Sequence, residues 1–429
     1  MKASTQAFYQ VWRGSRCCKP EVDSLIKRHR RKLWKFALLV CSLGLSLVLA
    51  EISVRLAFPS IPARIRILRY VESERGKFCR YNDILGWEGI SNVAQTFECV
   101  DTRCQVRQNQ YGFRGPAFSQ AKAASRRMVV LGDSFVWGFG VNDEDIFTAV
   151  MLRQASPPLE VINLGVSGYG TDQELLLWRT RAWEWKPDEV LLVVTLFTDL
   201  NDNLGTERYG YQKPAFRFDS EGNAHLLNVP VLKKSPAEQA RVPTPGRATG
   251  LAASLIEHSD LACVIVNAFL SGGVFREFFE KRGLVLARGG GVEREYVLYQ
   301  SPPSDAAEAA WKILAGLIGL LNAEVKQSGA RLTIVAVPSP VQVYPDAWRK
   351  LLHNQGAESP GRFTLDAALP NRLLREVAER QQIGVIDLLS DFQAAARTND
   401  FLYFPVNGHW TKAGNQLAAE VILREMRKR

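Results

Sequence analysis

The chain has 429 residues, of which 46% are apolar, enough for a full hydrophobic core in one large domain with appendages or in two domains. Its formal net charge is +10, but residues 1–35 contain ten Lys and Arg against two acidic residues and account for +8 of it. The rest of the chain is nearly neutral and has no basic stripe with interleaved aromatic residues, so we do not expect it to bind nucleic acid.

An uncharged apolar run from Phe36 to Ala50 follows a cluster of Lys and Arg residues. As a helix, residues 33–58 would be about 39 Å long, which is enough to cross a bilayer, and Pro59 would end it. The positive charge before this helix predicts that residues 1–32 are a basic cytoplasmic tail and that the rest of the chain is exported. A cleaved signal peptide and a buried core helix remain as alternatives.

Four cysteines would lie on the exported side, where disulfides persist: Cys79, Cys99, Cys104 and Cys263. Cys99 and Cys104 are close enough in sequence to close a small loop. Four cysteines allow three pairings, and free buried thiols are the alternative.

Residues 59–125 look irregular and are interpreted as a strap that joins the membrane helix to a domain at residues 126–429. In that domain, apolar strand patterns alternate with helical ones. The predicted strands are Met128–Leu131, Val161–Asn163, Val190–Leu196, Leu332–Val337 and Val385–Leu388. The predicted helices are one beginning near Asn142, then Thr171–Trp185, Ser304–Gln327, Leu365–Gln382 and Thr411–Arg427.

Five apolar strands separated by helices predict an α/β fold with a doubly wound, five-stranded parallel sheet. A long insertion, about residues 205–300, separates the third strand from the fourth. Its first part, from Tyr209 to Val231, has the pattern of short strands.

Residues that suit acyl transfer follow the strands of this predicted sheet, where ligands bind in open α/β folds. The first strand leads into Gly132-Asp133-Ser134, a sharp turn that suits a serine nucleophile. His409 precedes the last helix and is the natural base for this serine. The glycine-rich turn at Gly168 can direct a backbone N–H at an oxyanion. Each feature taken singly also fits a plain turn or a helix cap.

Four motifs together resemble the SGNH (GDSL-type) hydrolase superfamily, in particular its membrane-anchored bacterial members. Gly-Asp-Ser-Phe, ending at Phe135, resembles block I, and Asn163-Leu-Gly-Val-Ser-Gly168 resembles block II. The stretch 197–203 resembles block III, and Asn407-Gly-His409-Trp resembles block V, which usually reads Asp-Gly-His-Trp. The resemblance implies the flavodoxin-like SGNH fold.

The resemblance implies that Ser134 is the nucleophile, that His409 is the general base and acid, and that the amides of Ser134 and Gly168 form the oxyanion hole. The Asn of block III falls on Thr198, whose hydroxyl would be the third donor, with Asn201 as its alternative. The Asp of block V falls on Asn407.

The amide of Asn407 can hold the imidazole, but replacing Asp by Asn costs a serine triad about 10⁴ in rate. Three interpretations therefore stay open. Another carboxylate orients His409, or the site is a Ser-His dyad, or activity is lost. The nearby carboxylates are Asp387, Asp391 and Asp400.

We therefore expect a serine esterase that acts on ester groups of an extracytoplasmic glycan, most simply O-acetyl groups. It would be a single-pass protein of the bacterial inner membrane, with a cytoplasmic N-terminus and a periplasmic domain. The alternatives are an O-acetyltransferase that works with a membrane acyl-donor partner, and an inactive glycan-binding or assembly protein. We expect no cofactor and no metal, because the Cys and His spacings do not match zinc patterns.

Overall fold

The structure is a computed structural model that describes residues 19–57, 74–122, 124, 126–208, 211–233, 258–271, 295–356, 364–398 and 401–428. Its α-helices are α1 (Lys19–Ala57), α2 (Ser134–Trp137), α3 (Phe147–Gln154), α4 (Thr171–Thr180), α5 (Leu196–Leu204), α6 (Asp260–Ser271), α7 (Asp305–Gln327), α8 (Pro340–Val343), α9 (Pro345–Gly356), α10 (Leu369–Arg380), α11 (Leu389–Ala395) and α12 (Lys412–Arg427).

Short 3-10 helices lie at Asp143–Asp145, Ala182–Trp185 and Glu295–Tyr299. The strands are β1 (Cys79–Asn82), β2 (Gly86–Gly89), β3 (Ala94–Cys99), β4 (Thr102–Arg107), β5 (Arg127–Leu131), β6 (Glu160–Asn163), β7 (Glu189–Thr195), β8 (Glu207–Arg208), β9 (Tyr211–Gln212), β10 (Ala215–Phe218), β11 (Ala224–Leu227), β12 (Gln300–Ser301), β13 (Arg331–Val337), β14 (Thr364–Leu365) and β15 (Gly384–Asp387). The chain divides into two compact units, one formed from parts of residues 1–62 and 250–268 and one from the remainder.

Helix α1 dominates the first unit, and its segment Lys27–Ala57 is long and apolar enough to cross a membrane. The predicted helix at 33–58 is confirmed up to Ala57, whereas Pro59 lies outside the described residues. The helix begins already at Lys19, so part of the predicted basic tail continues the same helix. The carboxylate of Glu51 accepts hydrogen bonds at 2.9 Å from the backbone N–H groups of Asp260 and Leu261, at the start of α6.

The second unit is built on a parallel sheet with the strand order β15-β13-β7-β5-β6. This confirms the predicted five-stranded, doubly wound sheet. Its central strands are rich in β-branched residues and buried on both faces, as expected where helices cover both sides of a parallel sheet. Helix α7 also has the length and composition of a membrane span, but Leu314, Leu317 and Leu321 are fully buried in the core of this unit.

The predicted helices are present with three local differences. The helix predicted over Leu365–Gln382 spans Leu369–Arg380, because Thr364–Leu365 forms β14 and pairs with β12. Asn142 does not cap a helix, because its side-chain oxygen instead accepts a hydrogen bond from the backbone of Gln105, and a 3-10 turn precedes α3. The helix predicted over Thr171–Trp185 ends at Thr180, because Arg181 leaves the helical conformation, and a 3-10 turn follows. Ser304 and Thr411 cap α7 and α12 through their hydroxyl oxygens.

The expectation of an irregular segment at residues 59–125 was wrong for residues 79–107, which form two antiparallel hairpins, β1–β2 and β3–β4. In the second hairpin Phe97, Cys99, Cys104 and Val106 are buried and alternate with more exposed residues. This period-two pattern is short and interrupted by polar residues, so it gives a weak signal. Cys99 and Cys104 are free thiols rather than a closed loop, and burial raises their pKa values to about 12 and about 11.

Candidate active site

The proposed nucleophile lies at the carboxyl end of β5, where the chain turns directly into α2. Ser134 is the first residue of that helix, and Asp133 caps it by accepting a hydrogen bond of 2.9 Å from the N–H of Phe135. The backbone N–H of Ser134 therefore belongs to the unsatisfied first turn of a helix, where partial positive charge accumulates. Such a terminus suits a developing oxyanion.

His409 lies beside this serine although the two residues are 275 positions apart, and its Nε2 is 2.7 Å from Ser134 Oγ. The imidazole stacks on the ring of Phe139, with ring centroids 4.1 Å apart and planes 17° apart, and Phe135 lies on it at 4.9 Å. The backbone of His409 is held by Phe404, whose N–H donates to the His409 carbonyl at 2.8 Å. The structure thus brings together the predicted nucleophile and the predicted base.

Burial lowers the pKa of His409 from 6.5 to about 3, and a hydrogen bond with the backbone of Asn407 opposes this shift. Desolvation disfavours the imidazolium because the surrounding rings cannot solvate a cation. The ring is therefore neutral at physiological pH, which is the protonation state that a general base needs.

Asn407 contacts the other side of the imidazole. Its Oδ1 lies 3.1 Å from His409 Nδ1 and accepts a hydrogen bond of 2.8 Å from the His409 backbone N–H. Its Nδ2 donates at 2.6 Å to Oδ1 of Asp101, a residue 306 positions away that the sequence analysis did not select. Asp101 Oδ2 accepts two further bonds, from the N–H groups of Val406 at 2.8 Å and Asn407 at 3.1 Å.

Asp101 lies in the two-residue turn that joins β3 to β4. Contacts elsewhere on this hairpin fix it against the loop after α2: the Thr102 hydroxyl donates to the carbonyl of Gly140, and Asn142 accepts from the Gln105 backbone. The buried guanidinium of Arg114 bonds Asp143 in the same loop. The only sequence signals for Asp101 are its place in a turn and the alternation of the flanking strands.

The carboxylates predicted to orient His409 have other partners. Asp387 accepts from Asn371 at 2.8 Å and from Arg375 at 2.6 Å. Both oxygens of Asp391 are bonded by Arg424. These two expectations are corrected because the side chains of α10 and α12 already satisfy both groups, and Asp400 lies outside the described residues.

The turn that carries Gly168 is tied to the nucleophile helix by Asn163. The Asn163 amide donates to the carbonyl of Val136 at 2.7 Å, and its oxygen accepts from the N–H of Gly165 at 2.8 Å. A Cβ at Gly165 would come within 2.3 Å of the backbone nitrogen of Trp137, so only glycine permits this approach. Gly168 has φ +79°, a conformation that favours glycine. Because glycine has no side chain, the turn is open where the second oxyanion donor is expected.

Thr198 does not have the geometry expected of a third donor. It lies in the first turn of α5, where its hydroxyl is 3.2 Å from the carbonyl of Thr195 and 3.4 Å from Oδ2 of Asp133. A hydroxyl has one proton, and both neighbours are acceptors within the protein. Asn201 lies three residues further along the same helix.

Buried carboxylates, which we call the acidic cluster, adjoin the nucleophile turn: Asp133, Asp172, Glu174, Asp199 and Asp202. The buried ammonium of Lys213 bonds Asp172, and Arg208 bonds Asp202. Burial raises the pKa of Glu174 and of Asp199 well above their usual values, and like charge within the cluster adds to both shifts. Burial also raises the pKa of Asp133 to about 6. In the described part of the chain, neither carboxylate oxygen of Glu174 has a hydrogen-bond partner.

Within the described ranges we find no metal-binding arrangement of three or more His, Cys, Asp or Glu residues. What the site presents is a serine, a neutral histidine and an amide in hydrogen-bonding sequence, beside a helix N-terminus. This arrangement can activate a hydroxyl for attack on an ester carbonyl.

Residues 296–429 match the family described as "SGNH hydrolase-like domain, acetyltransferase AlgX". The chain carries an SGNH hydrolase-like domain. The matched segment includes Asn407 and His409, while Ser134 and Asp101 precede it and join the site through the fold. A comparison with curated protein sequences found no match to this chain.

Several solved structures are similar over about 71% of this chain. A lipase/acylhydrolase from Enterococcus faecalis is 13% identical, with 71% of this chain and 96% of that chain covered and a TM-score of 0.36. Axe2, an acetylxylan esterase from Geobacillus stearothermophilus, is 12% identical, with 71% and 94% covered and a TM-score of 0.34. Similarity at this level does not bear on substrate.

Proposed function

We propose that the protein is a serine esterase that removes acyl groups, in particular O-acetyl groups, from a glycan outside the cytoplasm. The observation that carries the proposal is the 2.7 Å contact between His409 Nε2 and Ser134 Oγ at the N-terminus of α2. The match to an SGNH hydrolase-like domain supports ester chemistry independently of that distance.

In the proposed reaction, His409 Nε2 takes the hydroxyl proton while Ser134 Oγ forms a bond to the ester carbonyl carbon. The carbonyl electron pair moves onto oxygen, which the N–H groups of Ser134 and Gly168 stabilise. Collapse of this intermediate breaks the bond to the glycan oxygen, and that oxygen receives the proton from Nε2. Water then releases acetate from the acyl-serine by the same steps.

A cleft of about 720 Å³ adjoins the site at Asp101 without Ser134 or His409 in its lining, and we propose that it holds a part of the glycan away from the reacting ester. Phe401 and Phe404 supply aromatic surface in this cleft, and Arg103 and Gln416 supply hydrogen-bonding groups. Flat aromatic faces beside polar side chains suit sugar rings, which have apolar faces and hydroxyl edges.

Helix α1 supports the proposed location, because Lys27–Ala57 is apolar and largely unburied. We propose that it is a single inner-membrane anchor, with the N-terminus in the cytoplasm and the hydrolase-like domain in the periplasm. A reporter fused to the C-terminus that is active only outside the cytoplasm tests this orientation, and activity of a cytoplasm-only reporter would contradict it.

The esterase proposal is tested on the full-length protein in detergent, by measuring acetate release from O-acetylated xylan and from p-nitrophenyl acetate. Ser134→Ala is expected to lower both rates by at least about 10³-fold. Ser119→Ala is the matched control, because the Ser119 hydroxyl is exposed and bonds the nearby carbonyl of Ala121. Wild-type rates for Ser134→Ala would overturn the assignment.

The family description, which names an acetyltransferase, favours transfer as a second candidate. In that case the hydroxyl of a glycan acceptor, rather than water, attacks the acyl-serine, and a membrane partner delivers the acyl group. Supplying a labelled acyl donor together with a deacetylated glycan distinguishes transfer from hydrolysis. Label incorporated into glycan indicates transfer, and label released only as acetate indicates hydrolysis.

A further inference from the structure

Asp101 is the group at this site whose role the hydrolase-like fold does not explain. Its two oxygens accept hydrogen bonds from the side-chain amide of Asn407 and from the N–H groups of Val406 and Asn407. All three partners are donors, so the position requires a group that is acceptor-only. A carboxylate meets that requirement, and an amide does not.

The carboxylate decides which way the amide of Asn407 points. In the observed orientation Nδ2 faces Asp101, while Oδ1 faces two of the three nitrogens of His409, the backbone N–H at 2.8 Å and Nδ1 at 3.1 Å. The flipped amide would place an oxygen against the carboxylate and an NH₂ group against the His409 backbone N–H. Both ends of Asn407 therefore reject the flip.

The amide orientation in turn decides the tautomer of His409. Because Oδ1 is an acceptor, Nδ1 must carry the ring proton, and Nε2 keeps a lone pair towards Ser134 Oγ. We propose that Asp101 is a positioning residue that holds His409 in its reactive tautomer through Asn407. Block V usually supplies a carboxylate that contacts the histidine directly. In this chain Asp101 takes that role through the Asn407 amide, which lies between it and the ring. The inference rests on the proposed serine chemistry and deepens it.

The hairpin does not depend on Asp101 for its position, because Thr102 and Gln105 bond the loop after α2 independently. Arg114 adds a further link, since its guanidinium bonds both the Gln105 carbonyl and Asp143 of that loop. Asp101→Asn is therefore expected to fold. Its amide must turn its oxygen towards the two backbone N–H groups and its NH₂ group towards Asn407. We expect Asn407 to flip and give up its bond to the single His409 backbone N–H, because two backbone N–H groups fix the orientation at position 101. The NH₂ group of Asn407 then faces His409 Nδ1, which selects the tautomer with the proton on Nε2.

The test compares wild type, Asp101→Asn and the exchanged pair Asp101→Asn/Asn407→Asp, each as the full chain in detergent. In the exchanged pair, the amide introduced at position 101 donates to the carboxylate introduced at position 407, and that carboxylate accepts from Nδ1 directly. We expect the rate of Ser134 labelling by a fluorophosphonate to fall by about 10²- to 10⁴-fold in the single variant, the upper bound being the cost of a wrong tautomer. Ser134 in the exchanged pair should be labelled at least about tenfold faster than in Asp101→Asn.

Long-range ¹H–¹⁵N NMR of ¹⁵N-histidine protein gives the second readout, with His409→Gln used to assign the signal. We expect the Nδ1–H tautomer in wild type and in the exchanged pair, and the Nε2–H tautomer in Asp101→Asn. Asp391→Asn is the matched control, because Asp391 is bonded by Arg424 and should leave both readouts unchanged.

Wild-type labelling of Asp101→Asn, or an Nδ1–H tautomer in that variant, would overturn the proposal. Loss of labelling without recovery in the exchanged pair would also overturn it, since a purely structural role predicts that result. The tautomer readout does not require turnover. A protein that releases no acetate from glycan but shows the expected tautomers refutes the proposed substrate and retains the role of Asp101.

Discussion

Asp101 and the acidic cluster are two carboxylate regions near the turn at Ser134, and their surroundings differ. Asp101 accepts hydrogen bonds from three N–H groups, one of which belongs to the Asn407 side-chain amide that contacts His409. The acidic cluster places five carboxylates in the interior with two cations among them, and burial raises the pKa of each of the five. The two regions differ most clearly in hydrogen bonding: three N–H groups bond Asp101, whereas in the described part of the chain neither oxygen of Glu174 has a hydrogen-bond partner.

The largest effect is expected from removing a cation from the acidic cluster. Lys213 is fully buried, and it bonds the Asp172 carboxylate and the carbonyl of Asp202. Lys213→Met leaves both acceptors without that donor and should lower the free energy of unfolding by about 3–5 kcal/mol. The shift of the urea unfolding midpoint measures this.

Lys428→Met is the control for that substitution, since Lys428 pairs with Glu425 on the surface at the end of α12. An exposed pair is worth about 0–1 kcal/mol, so the control should barely move the midpoint. Equal shifts for the two variants would contradict the contrast between buried and exposed charge.

An intermediate effect is expected when a carboxylate directly contacts the imidazole. In wild type, the acid limb of kcat/KM should lie well below pH 6.5, because burial lowers the pKa of His409 to about 3 and the base stays neutral as the pH falls. In Asp101→Asn/Asn407→Asp, an adjacent negative charge favours the imidazolium, so the limb should move up by about one pH unit. Profiles of p-nitrophenyl acetate hydrolysis from about pH 2.5 to 9 cover the acid limbs of both proteins. A limb that does not move shows that the carboxylate introduced at position 407 does not act on His409.

The smallest effect is expected at Glu174, whose raised pKa makes the folded protein hold a proton that the unfolded chain releases. Above the unfolded pKa, the folded state binds more protons than the unfolded state, so stability falls as the pH rises. Glu174→Gln should reduce this loss between pH 5 and pH 8, by a difference on the order of 1 kcal/mol. Urea unfolding at both pH values measures it, and parallel pH dependences in the two proteins would contradict the assignment.

The strands and the proximity of Ser134 to His409 could be predicted from the sequence for the same reason. Apolar, β-branched runs such as Met128–Leu131 satisfy a strand buried on both faces, and parallel strands end at one edge. Ser134 follows such a strand, and His409 precedes the last helix, so a shared edge was expected. The resemblance to block motifs then identified which serine and which histidine to pair.

The oxyanion donors and the orienting group could be predicted only in part. The positive φ of Gly168 agrees with its place in a glycine-rich turn, whereas the hydroxyl of Thr198 is engaged by acceptors of the protein itself. Asp387 and Asp391 were chosen for their nearness in sequence to His409. Nearness in sequence says little here, because their side chains are bonded by α10 and α12.

The pattern of residues along the chain was enough to predict the sheet, the apolar N-terminal helix and the serine and histidine, because each depends on local pattern and strand order. The group that orients His409 became visible only in the folded chain, because Asp101 reaches Asn407 across 306 residues from a turn between two short strands. Which atom of an amide faces a histidine depends on the donors and acceptors around it. Those neighbours are assembled when the β3–β4 hairpin packs beside the C-terminal loop.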